Sequence, residues 1–120
     1  MDEQYYIGTK IIKAWWEKRD GVDGYGVEYE DGYKSWSPKD VFEKAYRKVD
    51  GLNFGLAIEA VRMGKKIKLP KWADDVFISA QFPDANSKMT APYFYVTSRF
   101  GMVPWIPTMI EMWSDDWVIV

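Results

Sequence analysis

The chain has no cysteine and no histidine. The first absence excludes disulfides, thiolate metal sites and cysteine nucleophiles. The second removes the usual general base, the usual neutral metal ligand and the usual switch near neutral pH. No apolar run approaches the roughly 18 residues that a membrane-spanning helix requires, and the acidic opening "MDEQYY" is unlike a signal peptide. A soluble protein of the cytoplasm is the expectation. No GxxxxGK[ST] or GxGxxG loop occurs, and Gly24 and Gly26 do not precede a helical pattern, so no phosphate-cradling loop is in view. An excess of one charge is missing too. Sixteen Lys and Arg against eighteen Asp and Glu give a net charge of −2, which supplies no global field for nucleic acid or membrane. No internal repeat and no low-complexity tract interrupt the 120 residues, a length suited to one domain or one domain plus a small module.

Aromatic side chains are what the chain has in plenty: seven Trp and eight Tyr lift the aromatic share to 18%. A small core cannot fully bury so many large rings, and Trp and Tyr favour interfaces and binding pockets. The composition points to a binding protein or an oligomer over a hydrolytic enzyme.

Hydrophobic patterning divides the chain into two α+β segments. Residues 1–50 form a small β-rich unit that ends in a helix. "TKIIKAWW" is its first strand and "RDGVDG" its first turn. "YGVEYE" alternates, with Tyr25, Val27 and Tyr29 on one face, and "EDG" is a hairpin turn into "YKSWS". Ser37 can cap a helix that has Pro38 at its first position and Asp40 in its first turn. That helix runs through "KDVFEKAYRKV", with Val41, Phe42, Ala45 and Tyr46 as its apolar face. Trp15, Trp16 and Trp36 supply this unit's core and its contact with the second unit.

"VDGLN" is the joint, and residues 51–120 make the second unit. Asn53 caps a principal helix whose Phe54, Ala57, Ile58 and Val61 share a face, and Gly64 ends it at positive φ. "KKIKL" and "DVFISAQF" are strands, "PDANSKMTAP" a polar loop suited to a flap, and "YFYVTS" and "MVPWI" a hairpin around "RFG". Thr108 and Glu111 fit the capping box of a short helix before the final strand "WVIV". The expected fold is α+β, a mainly antiparallel sheet with one principal helix in the second unit.

Several residue groups could carry chemistry. Asp74–Asp75 and Asp115–Asp116 are carboxylate pairs, but neighbours in sequence point to different faces, and no histidine supports a metal or acid/base role. Asp116, flanked by Trp117 and placed before a strand, is the exception worth keeping. Strand alternation puts Lys66 and Lys68 on one face, either a solvated surface or a local phosphate contact, with Ile67 and Leu69 toward the core. Trp72 and Trp105 both follow a proline in irregular backbone, where an indole serves either the core or a rim that stacks on a base or sugar. Trp113, on the short helix, reads as core packing or a subunit contact.

The second unit resembles the second Thoeris anti-defence family of bacteriophages. "NFGLAIEAVRMGKKIKLPKW" and "PYFYVTSRFGMVPWIPTMIEMWSDDWVIV" follow that family's loose pattern of FGxALEALKxGKKV, a tryptophan, then VPWxxSxxDMxAxDWxxV. The matching residues include Phe54, Gly55, Ala57, Glu59, Gly64, Lys65, Lys66, Trp72, Pro104, Trp105, Met112, Asp116 and Trp117. The resemblance implies a non-catalytic homo-oligomer, typically a tetramer, that sequesters a cyclic ADP-ribose isomer and in some relatives a cyclic dinucleotide, without a cofactor. It also implies that Trp72 and Trp105 stack on base or ribose, that Thr108 and Asp116 bond ribose hydroxyls, and that Lys66 or Lys68 meets the pyrophosphate. Departures at Lys71, Ala73, Met109 and Ile110 replace positions where the family tends to be small or polar, and a site that pairs hydroxyls discriminates strongly. Where the family's polar groups at these positions bond the ligand, affinity or ligand choice is expected to differ. The rival from another class is a protein–protein adaptor or phage accessory protein built around the aromatic first unit. A metal-dependent nuclease using the Asp pairs is a third reading.

Overall fold

The computed structural model describes residues 3–120 and divides the chain into two compact units, one ending at Arg47 and the other spanning Lys48–Val120. The first unit is a three-stranded antiparallel sheet of β1 (Lys13–Trp16), β2 (Gly24–Glu28) and β3 (Lys34–Pro38), in that order, followed by α1 (Lys39–Ala45). Asp20 and Gly21, at φ 50° and 76°, turn the chain between Arg19 and Val22, whose backbones exchange two hydrogen bonds. That mirror-image turn matches the twist of the flanking strands. Gly32, at φ 87°, does the same service between β2 and β3.

Three local expectations for this unit are corrected. The first strand begins at Lys13, not at residue 9, because β2 ends at Glu28 opposite Lys13 and leaves upstream residues nothing to pair with. Ser37 does not cap α1: it is still paired with Tyr25 in β3, and Pro38 occupies the cap position with no side-chain bond. Sheet pairing has overridden the local cap preference. The helix stops at Ala45, with Tyr46 extended, and Val41 faces solvent. Phe42 instead carries the helix–sheet contact, stacking on Tyr25 at 4.2 Å between centroids, with Tyr46 at 4.9 Å on its other side. Trp16 meets Tyr25 edge-on at 5.5 Å on that same face.

The second unit orders five antiparallel strands as β7-β6-β5-β4-β8: β4 (Ile67–Lys68), β5 (Phe77–Gln81), β6 (Tyr93–Ser98), β7 (Gly101–Pro104) and β8 (Val118–Ile119). α2 (Phe54–Arg62) covers one face, and α3 (Met109–Met112) links β7 to β8. The Asn53 side chain accepts from the Leu56 amide at 2.9 Å, and Gly64 at φ 92° follows the C-cap Met63. Both ends of α2 are therefore set by local sequence. Ala57, Ala60 and Val61 of α2 bury against Ile67 and Ile78, with Leu52 and Trp117 completing the cluster. The α+β reading, with antiparallel sheets and one principal helix in the second unit, describes this structure. Among the described residues, no helix is long and apolar enough to cross a membrane.

Candidate functional site

Trp117 is the hub of the second unit. It is fully buried (0% exposed), the largest side chain so placed. Its backbone exchanges two hydrogen bonds with Leu52, 2.9 and 3.0 Å, so β8 is stitched to the residue that precedes the α2 cap. Its indole N–H donates to the Glu111 carbonyl at 3.0 Å, which ties α3 to the core. Three further rings surround it: Trp72 edge-on at 5.3 Å, Trp105 edge-on at 6.0 Å and Phe54 tilted at 5.9 Å. Edge-to-face pairs of this kind add about 0.5–1.5 kcal/mol each beyond their burial. Trp72 and Trp105 are only partly buried, so each has one edge on the core and a remainder open to solvent.

Most of the expected site residues connect to this hub. Thr108 caps α3: its hydroxyl accepts from the Glu111 amide at 3.1 Å while the Glu111 carboxylate accepts from the Thr108 amide at 2.7 Å. The hydroxyl hydrogen of Thr108 remains free to donate outward. Asp116 is exposed beside Trp117, and one of its oxygens accepts from the Ser114 hydroxyl. Asp115 is also exposed, with no contact to a shared site.

Lys68 is placed differently from the sequence expectation of a solvated sheet face. It is 8% exposed, and its ammonium donates to the carbonyls of Trp72 at 3.1 Å and Ala73 at 3.0 Å. The loop after β4 folds back over the lysine, something alternation alone cannot foresee. Lys66 stays exposed, with its ammonium 4.7 Å from the Phe77 ring centroid. It is the candidate least connected to Trp117. Trp113, expected to pack in the core or against another subunit, is 79% exposed and is no part of this chain's core.

The carboxylate pairs separate. Asp75 accepts from Arg99 Nε at 3.0 Å, Arg99 Nη2 at 3.3 Å and the Arg99 amide at 2.9 Å, which fixes the turn of the β6–β7 hairpin, while Asp74 is exposed. Among the described residues, no group of three or more acidic side chains could hold a metal ion. The Arg99 hydrogen bonds hold the Asp75 carboxyl below its ordinary range. Since the folded form then releases its proton more readily than the unfolded one, this contribution is present at neutral pH and fades as acid protonates the folded carboxylate. Asp75→Asn is expected to flatten the acid limb of the stability–pH curve, checked by urea unfolding at a series of acidic pH values.

The segment from Leu52 to Val120, whose ends meet in the Leu52–Trp117 bridge, also matches a family model. The match is to the Thoeris anti-defense 2-like (Tad2-like) domain over residues 52–120, more than half of the chain. The chain belongs to the Tad2-like family. No functionally curated protein matches it. Membership gives the protein a role in Thoeris anti-defence, carried by its second unit.

Within the Tad2-like unit, four of the residues behind the resemblance form the hub: Phe54, Trp72 and Trp105 each contact Trp117, Phe54 also contacts Trp105, and Gly64 closes α2. Sequence reasoning marked Trp72 and Trp105 but missed that Trp117 organises both. The signal for it was its place in an apolar strand one residue after Asp116. A separate shallow cavity of about 140 Å³ lies against β5, β6 and β7, lined by Gln81, Tyr93, Tyr95, Met102, Val103 and Pro104. None of the six candidate residues lines it, and it is below the roughly 300 Å³ that small-molecule sites begin at.

Proposed function

We propose that this Tad2-like protein is a phage product that acts in the cytoplasm of the infected host. It binds a cyclic ADP-ribose isomer and holds it without cleavage, so that the Thoeris effector is not switched on. The observation that carries the reading is the aromatic arrangement: two partly exposed indoles, Trp72 and Trp105, each held edge-on by the buried Trp117. Indoles fixed in this way lose little freedom when a base or ribose stacks on them. Thr108 offers a free hydroxyl hydrogen and Asp116 a second carboxylate oxygen for ribose hydroxyls. Lys66, exposed, is better suited to a pyrophosphate than Lys68, which has already committed two of its three hydrogens.

Oligomerisation belongs to the same reading, with a tetramer as the form proposed. Ile106, Met109, Ile110 and Trp113 lie on and beside α3 with most of their surface in solvent. A subunit contact over them would remove that apolar surface from water. Met109 and Ile110 in this stretch are also the departures expected to alter ligand choice.

The test is depletion. Purified protein should remove a cyclic ADP-ribose isomer from solution and return it intact on heating. Trp72→Ala and Trp105→Ala should each weaken binding by about five- to 150-fold, the worth of one stacked ring at about 1–3 kcal/mol. Calorimetry that finds no micromolar binding of any cyclic ADP-ribose isomer or cyclic dinucleotide would reject this function for the protein.

A further inference from the structure

The face of the first sheet opposite α1 carries a feature that lies outside the Tad2-like residues 52–120. Trp15, Gly26 and Trp36 stand directly across from one another on β1, β2 and β3, so both indoles rise from the outer strands on one side. They lean inward onto β2. A Cβ on Gly26 would fall 2.3 Å from Trp15 ring atoms, and one on Gly24 would fall 2.4 Å from the Trp36 ring. Bare backbone at these two positions is what admits the rings. Because Gly24 and Gly26 are two residues apart on one strand, the indoles contact β2 about 6–7 Å apart and form a continuous strip.

The strip is braced. Trp15 Nε1 donates to the Glu17 carboxylate at 3.0 Å, and Trp36 Nε1 donates to the Glu17 backbone carbonyl at 2.7 Å. Arg19 bonds the second Glu17 oxygen at 2.7 Å and places its guanidinium 5.8 Å from the Trp36 ring centroid. Trp15 nonetheless keeps 41% of its surface in solvent.

We infer that this strip is a docking site for a proline-containing, extended segment of a protein partner. Both indole N–H groups are already committed to Glu17, so the strip has no free indole donor for a base edge or a sugar hydroxyl. What it presents is the fixed, open π face of Trp15 beside a Trp36 ring that carries the Arg19 guanidinium. Charge argues against a polyanion: residues 1–47 hold eight Lys and Arg against ten Asp and Glu, a net of −2. Of the cations beside the strip, Lys13 is paired with Glu28 at 3.8 Å and Arg19 with Glu17. Lys34 is left among the described residues, too little for a phosphate chain. A proline ring in polyproline II backbone suits such a surface. It is apolar, needs no hydrogen bond from the ring beneath it, and is ordered before it binds.

The test is a titration of the full-length chain with a synthetic decaproline peptide, followed through the indole N–H resonances. The Trp15 and Trp36 signals should move saturably while the other indole signals stay in place. Trp15→Leu, which keeps an apolar cover over Gly26 but removes the aromatic face, should weaken the response by about tenfold or more. If that variant does not fold, the titration of the unmodified protein decides alone. No movement at millimolar decaproline overturns the inference. So does movement of these two signals by a ten-residue oligothymidylate or by maltoheptaose in place of decaproline.

Discussion

Trp117→Ala is expected to bring the second unit to the edge of unfolding. Emptying a buried tryptophan site costs about 3–5 kcal/mol, against a total of about 5–15 kcal/mol for an ordinary domain. Here the loss extends past the cavity. Trp72, Trp105 and Phe54 all lose the ring they lean on, and the Glu111 carbonyl loses its indole donor, which loosens the tie of α3 to the core. Trp117→Phe is the informative companion. It keeps most of the aromatic volume and forfeits the indole hydrogen bond, so its cost should be clearly smaller than that of the alanine variant. Urea unfolding followed by far-ultraviolet circular dichroism measures both. An alanine variant within about 1 kcal/mol of the unmodified protein would remove Trp117 from the centre of the unit.

Lys68→Met is the second large effect. The methionine fills most of the same space, yet the carbonyls of Trp72 and Ala73 lose their shared donor. The Ala73 carbonyl keeps the Val76 amide at 3.0 Å, so the loss falls on the Trp72 carbonyl, and leaving one such group without a partner costs about 1–3 kcal/mol. The more telling consequence is local: the loop that presents Trp72 should loosen in the ligand-free protein. Hydrogen exchange over residues 70–75 and the position of the Trp72 indole resonance report it directly. A lysine kept only to meet a phosphate would leave both unchanged in the absence of ligand, and would show its effect only as weaker, less salt-sensitive binding. The two roles of Lys68 are thus separated by measurements made before any ligand is added.

Much of the fold could be read from local patterns because local physics sets it. Asn53 and Gly64 bracket α2, Thr108 and Glu111 open α3, and Asp20–Gly21 makes a tight turn; each acts within a few residues of itself. Readings failed where a distant strand intervened. Ser37 has the chemistry of a helix cap, but pairing with Tyr25 keeps it in β3. Val41 has helical spacing, but the sheet accepts Phe42 instead. The candidate site shows the same division. That Trp72 and Trp105 stand in irregular backbone was visible from the prolines before them; that both lean on Trp117 was not, since 45 residues separate Trp72 from Trp117 in the chain.

The sequence alone determined the kinds of chemistry available to this protein. Histidine and cysteine chemistry is excluded, seven tryptophans supply aromatic faces, and the motifs of residues 52–120 carry the family resemblance. Which ring is core and which is surface was decided by tertiary structure. Trp113 and Trp117 lie four residues apart, yet one is 79% exposed and the other fully buried. The difference arises because the backbone bridge to Leu52 pins Trp117 under α2, whereas α3 ends at Met112 and leaves Trp113 with no element above it. Burial of an aromatic ring requires surfaces from distant parts of the chain to arrive together, and no window of local sequence specifies that meeting.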